Sequence, residues 1–229
     1  DDDVSCEPMT MAEKILARAG GKECARAGEI VMGKVDRTMS HDNAGLVSRV
    51  FRSIGVDKVF DPERIVVLLD HRVPANSIDT AEGHKKVREF AREQGLPHFL
   101  DMREGICHQV MTEMGFVAPG MLVVGTDSHT TTYGAVGAFS TGIGATEMAT
   151  VWATGELWLR VPPTLRVTVT GRFPKGVFAK DLILALIGEL RSDGADYRAV
   201  EFCGECVEAM SVSERMTICN MAMEAGAKA

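Results

Sequence analysis

The chain has 229 residues, 45% of them hydrophobic and 25% charged, with a formal net charge of −7. That is enough apolar chain to bury the core of one large domain or two small ones. The acidic balance argues against nucleic acid as a partner, because phosphate binding needs a basic surface, and without an apolar run of 18 residues a membrane span is not expected.

Asp1 to Glu7 is acidic and polar and matches neither a secretory signal nor an Arg-rich transit peptide. Residues 1–9 therefore read as a disordered leader or an expression remnant. Thr10 and Glu13 have capping-box spacing, so a helix starts there and presents Ile15, Leu16 and Ala19 before Gly20-Gly21 ends it. Glu29 to Val35 alternates as a strand does. Ser40-His41-Asp42-Asn43 is a polar knot before a second helix, which carries Leu46, Val47, Val50, Phe51 and Ile54 at spacings of three and four. Ile65 to Leu69 is a continuous apolar run, read as a strand buried on both faces, and it ends directly in Asp70-His71. A helix over about Thr80 to Gln94, a short strand at His98 to Leu100 and the stretch Gly105-Ile-Cys-His-Gln109 follow.

Met121 to Val124 reads as another buried strand. Gly125, Thr126, Asp127, Ser128 and His129 come straight after it, at the kind of strand end where open α/β sheets bind ligands. Glycines at 134, 137, 142 and 144 let the chain turn tightly or pass close to something. They form no GxGxxG, and no GK[ST] follows, so dinucleotide and P-loop readings fail. A helix from about Thr146 carries Met148, Val151, Trp152 and Leu157. Pro162-Pro163 reads as a boundary. Beyond it come a half-exposed strand (Leu165 to Thr170), a helix (Asp181 to Leu190), a strand (Ala199 to Cys203) and a last helix from Ser211 to about Ala225. Strands alternating with helices predict an α/β fold, layered α/β/α with a largely parallel sheet. The expected division is residues 10–161, carrying the His/Asp knots, and a second subdomain over 162–229.

Three histidines sit in polar knots after apolar segments, in Asp70-His71, Cys107-His108-Gln109 and Asp127-Ser128-His129, and His41 is a fourth. A carboxylate beside a histidine fixes its tautomer and raises its pKa, which suits proton transfer near neutral pH. Any one knot is better explained by structure, whereas three knots after sheet strands together point to a shared site. Asn220 and Glu224 share one face of an otherwise apolar last helix, where a carboxylate needs a partner such as a histidine. The six cysteines read as reduced and the protein as cytoplasmic. Cys203 and Cys206 form a single CxxC to which Cys219 could add a thiolate, but a four-ligand metal site normally needs a second pair. Two ordinary cysteines beside a strand is the plainer reading.

Taken together, Val124-Gly-Thr-Asp-Ser-His-Thr130 with its glycine-rich continuation, Leu69-Asp-His71, Gly105-Ile-Cys-His-Gln109 and Thr217-Ile-Cys-Asn-Met221 with Glu224 resemble the aconitase superfamily in order and spacing. Val35 to Ala44 is similar to the large subunits of its two-subunit hydro-lyases, of the 3-isopropylmalate dehydratase and homoaconitase type. The resemblance covers nearly the whole chain from Thr10. It implies an aconitase-like N-terminal region and dehydration and rehydration of a hydroxy di- or tricarboxylic acid on a [4Fe–4S] cluster, with a small subunit as partner. It also implies roles. Asp70 orients His71, the proton donor to the departing hydroxyl. Asp127 pairs with His108, and Glu224 with His129. His41, Ser128 and Asn220 line the substrate or cluster pocket, and the glycines after His129 give room to cluster and substrate. The family's cluster cysteines would follow residue 229, so no metal ligand is assigned here, the chain reads as an N-terminal half, and alone it is expected to hold no cluster and to be silent. Two other readings stand beside this one. One is a zinc-type hydrolase using His71, His108, Asp127 and His129 as ligands. The other is a non-catalytic folded fragment or RNA-binding relative, which the acidic charge disfavours.

Overall fold

The computed structural model describes residues 7–229. In chain order it contains α1 (Met11–Ala19), β1 (Ile30–Lys34), β2 (Arg37–Ser40), α2 (Ala44–Ile54), β3 (Ile65–Leu68), α3 (Ile78–Gln94), β4 (His98–Leu100), α4 (Cys107–Glu113) and β5 (Leu122–Gly125). A 3₁₀ segment, Ser128–Val136, leads to β6 (Phe139–Gly142), α5 (Ala145–Thr154), β7 (Glu156–Arg160), β8 (Thr164–Thr168), α6 (Ala179–Leu190), β9 (Ala199–Cys203), α7 (Glu205–Glu208) and α8 (Val212–Ala222).

Five strands form one wholly parallel sheet in the order β4-β3-β2-β5-β6. One face carries Ile65, Val67, Leu122, Val124 and Phe139, which pack with residues of α1, α2, α3 and α5. The other carries Met39, Val66, Leu68 and Val123, covered by Val110 and Met111 of α4 and by Tyr133. The result is the expected α/β/α layering. Burial on both faces explains the unbroken apolar runs of β3 and β5. On the helical side Trp152 is fully buried and stacks on Phe90 at 5.2 Å, while Phe90 meets Phe51 edge-on at 5.8 Å. These contacts pin α2, α3 and α5 together, each adding roughly 0.5–1.5 kcal/mol beyond the area it buries.

The structure departs from the sequence reading at several elements. The central strand, β2, has no apolar run to announce it: Thr38 and Ser40 are buried there with hydroxyls that find no partner among the described residues. Its place is set by the neighbours on either side. β6 is hidden likewise, with Ser140 and Thr141 buried inside the glycine-rich stretch. Gly105 to Gln109 opens α4. The helix after Gly144 stops at Thr154, because Gly155 takes a left-handed conformation (φ 75°) and caps it. Leu157 therefore belongs to β7, which pairs antiparallel with β1 outside the main sheet. Of the presumed leader, residues 1–6 lie outside the described residues. Met9 packs on the main core, and the Glu7 and Pro8 carbonyls accept from Arg26. Cys24 is disulfide-bonded, which corrects the reading of all six cysteines as reduced. Cys107, Cys203, Cys206 and Cys219 are free thiols.

β8 and β9 pair in parallel apart from the main sheet and pack on α6 and α8 around Ile183 and Ile218. Helix α8 also lies against the 3₁₀ segment. There Thr131 Oγ1 donates to the Cys219 carbonyl at 3.0 Å, and Asn220 Nδ2 donates to Thr132 Oγ1 at 2.9 Å.

Gly125, Gly137 and Gly142 serve the chain itself. A Cβ on Gly142 would lie 2.7 Å from the Asp127 carbonyl oxygen and 3.0 Å from Ser128 Cα, and one on Gly125 would strike Thr130. Gly137 has φ 81° and lies against Pro119. At Gly137 and Gly142 this differs from reading the run as room for a bound group: the chain needs that space for its own close approaches. Gly142→Ala should destabilise the protein by about 1–3 kcal/mol through backbone displacement, measured by urea unfolding. A midpoint equal to wild type would show that the loop yields freely.

Candidate active site

The parallel sheet brings the carboxyl ends of β2, β3 and β5 to one edge. The polar knots follow those ends, so Asp42, Asp70-His71 and Asp127 meet there. His108 arrives from the first turn of α4.

Asp70 is almost wholly buried, with 3% of its side chain exposed. Oδ1 binds His71 Nδ1 at 2.8 Å, and Oδ2 accepts the Cys107 N–H at 2.6 Å. The carboxylate therefore fixes the His71 tautomer and ties the start of α4 to the end of β3. With Nδ1 engaged, the other nitrogen of His71 is the one available for proton transfer, and it lies 3.6 Å from Asp127 Oδ2. Burial pulls the His71 pKa down, but the hydrogen bond to Asp70 and the charges of Asp70, Asp127 and Asp42 outweigh it, and the net shift is upward. His41 stacks on His71 with ring centroids 3.9 Å apart and 16° between planes. Burial, and then the His71 charge, lower the His41 pKa, and its Nδ1 is buried without a partner among the described residues. The stack thus favours a neutral His41 under a protonated His71.

His108 Nε2 lies 2.8 Å from Asp127 Oδ1, and Nδ1 lies 3.0 Å from the Tyr133 hydroxyl. An ionised carboxylate only accepts, so Nε2 carries the proton, and in the neutral ring Nδ1 accepts from Tyr133. Asp127 Oδ1 also accepts the His129 N–H at 2.8 Å. The hydrogen bond from His108, followed by that backbone bond, holds Asp127 well below the usual carboxylate range despite partial burial. His129 Nε2 reaches Glu224 Oε1 at 3.1 Å, across 95 positions of sequence. Ser128 Oγ stands 3.4 Å from His129 Nδ1. Asn220 sits beside the 3₁₀ segment, its amide donating to Thr132.

All three histidine–carboxylate pairs that the family resemblance implied are therefore formed. Sequence reasoning missed Tyr133, which lies in the glycine-rich run with no local signal, and His84, hidden among the charges of α3. It named Asp42 in a knot without giving it work. Asn43 and Thr126 also exchange two hydrogen bonds, at 2.7 and 3.0 Å, clasping the ends of β2 and β5.

The described thiols do not fit as ligands of an iron–sulfur cluster. Cluster ligation needs converging thiolates. Burial pushes the Cys219 thiol up to about 12 and that of Cys107 higher still. Cys203 faces Arg166 and Thr168, whereas Cys206 is buried in the core beside α6 and α8. The zinc ligand set His71, His108, Asp127 and His129 does not bring its donor atoms close enough together to share one ion. Among the described residues, the one group of donor atoms close enough to share an ion is His41, Asp42, Asp70 and His71. Its carboxylates are occupied by backbone N–H groups.

Residues 13–229 match the profile of the aconitase family (aconitate hydratase). The chain is 57% identical over 220 residues to 3-isopropylmalate dehydratase large subunit 1 of Methanopyrus kandleri, covering 96% of this chain and 52% of that protein. It is 50% identical over 221 residues to the 3-isopropylmalate dehydratase large subunit of Aquifex aeolicus, covering 96% and 51%. A protein named probable methanogen homoaconitase large subunit, from Methanothermobacter thermautotrophicus, is 55% identical over 225 residues, covering 96% and 53%. The chain spans about half the length of the curated relatives it matches.

A carboxyl group depressed by folding contributes stability that is complete above its unfolded pKa, ~4 for Asp, and is lost as pH falls toward the folded value. Asp127→Asn should therefore be less stable than wild type at pH 7 and should lose less stability between about pH 5 and pH 2. His71, raised by folding, acts in the opposite sense: its contribution is present below ~6.5 and fades as pH rises through the folded value. Urea midpoints across pH measure both. Equal acid limbs for Asp127→Asn and wild type would remove Asp127 as the group responsible.

Proposed function

The chain belongs to the aconitase family, and on that premise we propose that it forms part of the large subunit of a hydro-lyase that dehydrates and rehydrates a hydroxy di- or tricarboxylic acid such as 3-isopropylmalate. The observation that carries this reading is the convergence of His71–Asp70, His108–Asp127 and His129–Glu224 at one sheet edge. The names of the relatives support the substrate class.

Hydroxide is a poor leaving group, so loss of water needs a proton delivered to the departing oxygen. His71 has the attributes of that donor. Its Nδ1 is held by Asp70, its pKa is raised, and its side chain is partly exposed, so a substrate could reach it. His41 supports the ring from one face. In the proposal His108 and His129, each bound to a carboxylate, hold the water that leaves and returns, while Ser128 and Asn220 line the substrate pocket. Asp127 links the three, as it bonds His108, accepts the His129 N–H and lies near His71.

The proposal includes a [4Fe–4S] cluster and a small subunit in the complete enzyme. We assign the cluster ligands to chain that would follow residue 229 in the complete large subunit. Isopropyl, methyl and carboxyalkyl variants of the hydroxy acid would all use this half-site, and relatives named 3-isopropylmalate dehydratase and homoaconitase large subunits match at similar identity.

In the full-length large subunit assembled with its small subunit, His71→Ala should cut turnover by about 10²–10⁴, the usual worth of a general acid. An unchanged rate would remove His71 from its role. Metal analysis of the same preparation should give iron and sulfide; bound zinc lost in His71→Ala would favour a hydrolase instead.

A further inference from the structure

We infer that Asp42 and His84 form a positioning pair that fixes His71 for proton transfer. The inference rests on the functional reading above, since fixing His71 matters only if His71 moves a proton.

Asp42 follows β2, the strand next to β3, and 7% of its side chain is exposed. Its carboxylate accepts three successive backbone N–H groups from the chain leaving β3. Oδ2 takes those of Asp70 and His71, at 3.0 and 2.8 Å, and Oδ1 that of Arg72, at 3.3 Å. Consecutive N–H groups turned one way make a concavity that favours an anion, and Asp42 fills it. A fourth bond comes from another layer: His84 Nε2 of α3 lies 2.6 Å from Oδ1, with 3% of that side chain exposed. Burial raises the Asp42 pKa, but the bonds from the His71 N–H, the His84 ring and the Asp70 N–H outweigh it and keep the carboxylate ionised.

The His71 ring is thereby held from three sides. Its backbone is bound to Asp42, its Nδ1 to Asp70 and its face to His41. Asp70 is adjacent to His71 in sequence, and His41 and Asp42 belong to one knot, whereas His84 lies 13 residues beyond His71 and anchors Asp42 to a helix. A shift of about 1 Å in a proton donor can cost about a hundredfold in rate, so a pair that sets the height of this turn controls turnover without touching the reacting atoms.

The test uses imidazole NMR titration and amide exchange on this chain, with Asp42→Asn, His84→Phe, which removes the ring donor, and His84→Gln, which keeps an N–H donor. Asp42→Asn should lower the His71 titration midpoint and speed exchange of the Asp70 to Arg72 amides by about tenfold or more, as expected for losing hydrogen bonds to a charged group. His84→Phe should speed the same amides, and His84→Gln should restore them. In the complete two-subunit enzyme, Asp42→Asn and His84→Phe should lower kcat more than tenfold with KM within about twofold, and the alkaline limb of the kcat profile should follow the His71 midpoint. An unchanged midpoint and unchanged exchange in Asp42→Asn would overturn the inference. If that variant does not fold, equal exchange in His84→Phe and His84→Gln would do so. The NMR readouts need no turnover, so an inactive wild-type enzyme would count against the functional reading alone.

Discussion

Parallel pairing of β3, β2, β5 and β6 forces four strand ends onto the same edge of the sheet, and at that edge the ladder hydrogen bonds run out. Backbone N–H groups leaving a buried strand must find acceptors, because an unpaired one costs about as much as a lost hydrogen bond. Here the acceptors are carboxylates: Asp42 for residues 70–72, Asp70 for Cys107 and Asp127 for His129. Each of those carboxylates also binds a histidine ring, at His84, His71 and His108 respectively. Closing the backbone and orienting the imidazoles are therefore one set of interactions, and the second follows from the first.

This double use shapes the electrostatics. A carboxylate that already accepts backbone N–H groups is stabilised as an anion, so it stays charged beside a histidine and does not share a proton with it. Asp127 is held below the ordinary range first by the His108 hydrogen bond and then by the His129 N–H, and Asp42, against its burial, by the His71 N–H, the His84 ring and the Asp70 N–H. His71, surrounded by Asp70, Asp127 and Asp42, is drawn toward protonation, while the more buried His41 beneath it is drawn the other way. Two stacked rings with opposite tendencies give one proton donor and one neutral support. Had both been equally exposed to the carboxylates, two like charges would face each other at 3.9 Å.

The segment after Pro163 joins the site through α8 and the 3₁₀ turn Met223–Ala225 that follows it. Glu224 reaches His129, and Thr131 and Asn220 bond across the contact between α8 and the 3₁₀ segment. The His129–Glu224 pair is half open to water, so its worth is modest by itself. The buried packing and the two other hydrogen bonds hold it in place. The chain matches the aconitase profile on both sides of that contact, as expected if it is part of the family's shared architecture.

Much of this was legible in the sequence. Capping boxes at Thr10 and Ser211, the apolar runs of β3 and β5, and a polar knot directly after each gave the α/β class, most of the helices and the histidines of the site. Those signals are local: a cap or a buried run needs only neighbours in the chain to be recognised. The tertiary structure decided what depends on distant partners. β2 lies at the centre of the sheet although Thr38 and Ser40 are polar, because β3 and β5 flank it. Leu157 left its helix because Gly155 turned the chain toward β1. Gly142 proved to be space for the Asp127–Ser128 backbone. Asp42 and His84, 42 positions apart, became a bonded pair only once α3 packed beside the end of β2. The sequence determined which residues could do chemistry; which of them meet was settled by strand order, since no spacing along the chain encodes how β2 comes to lie between β3 and β5.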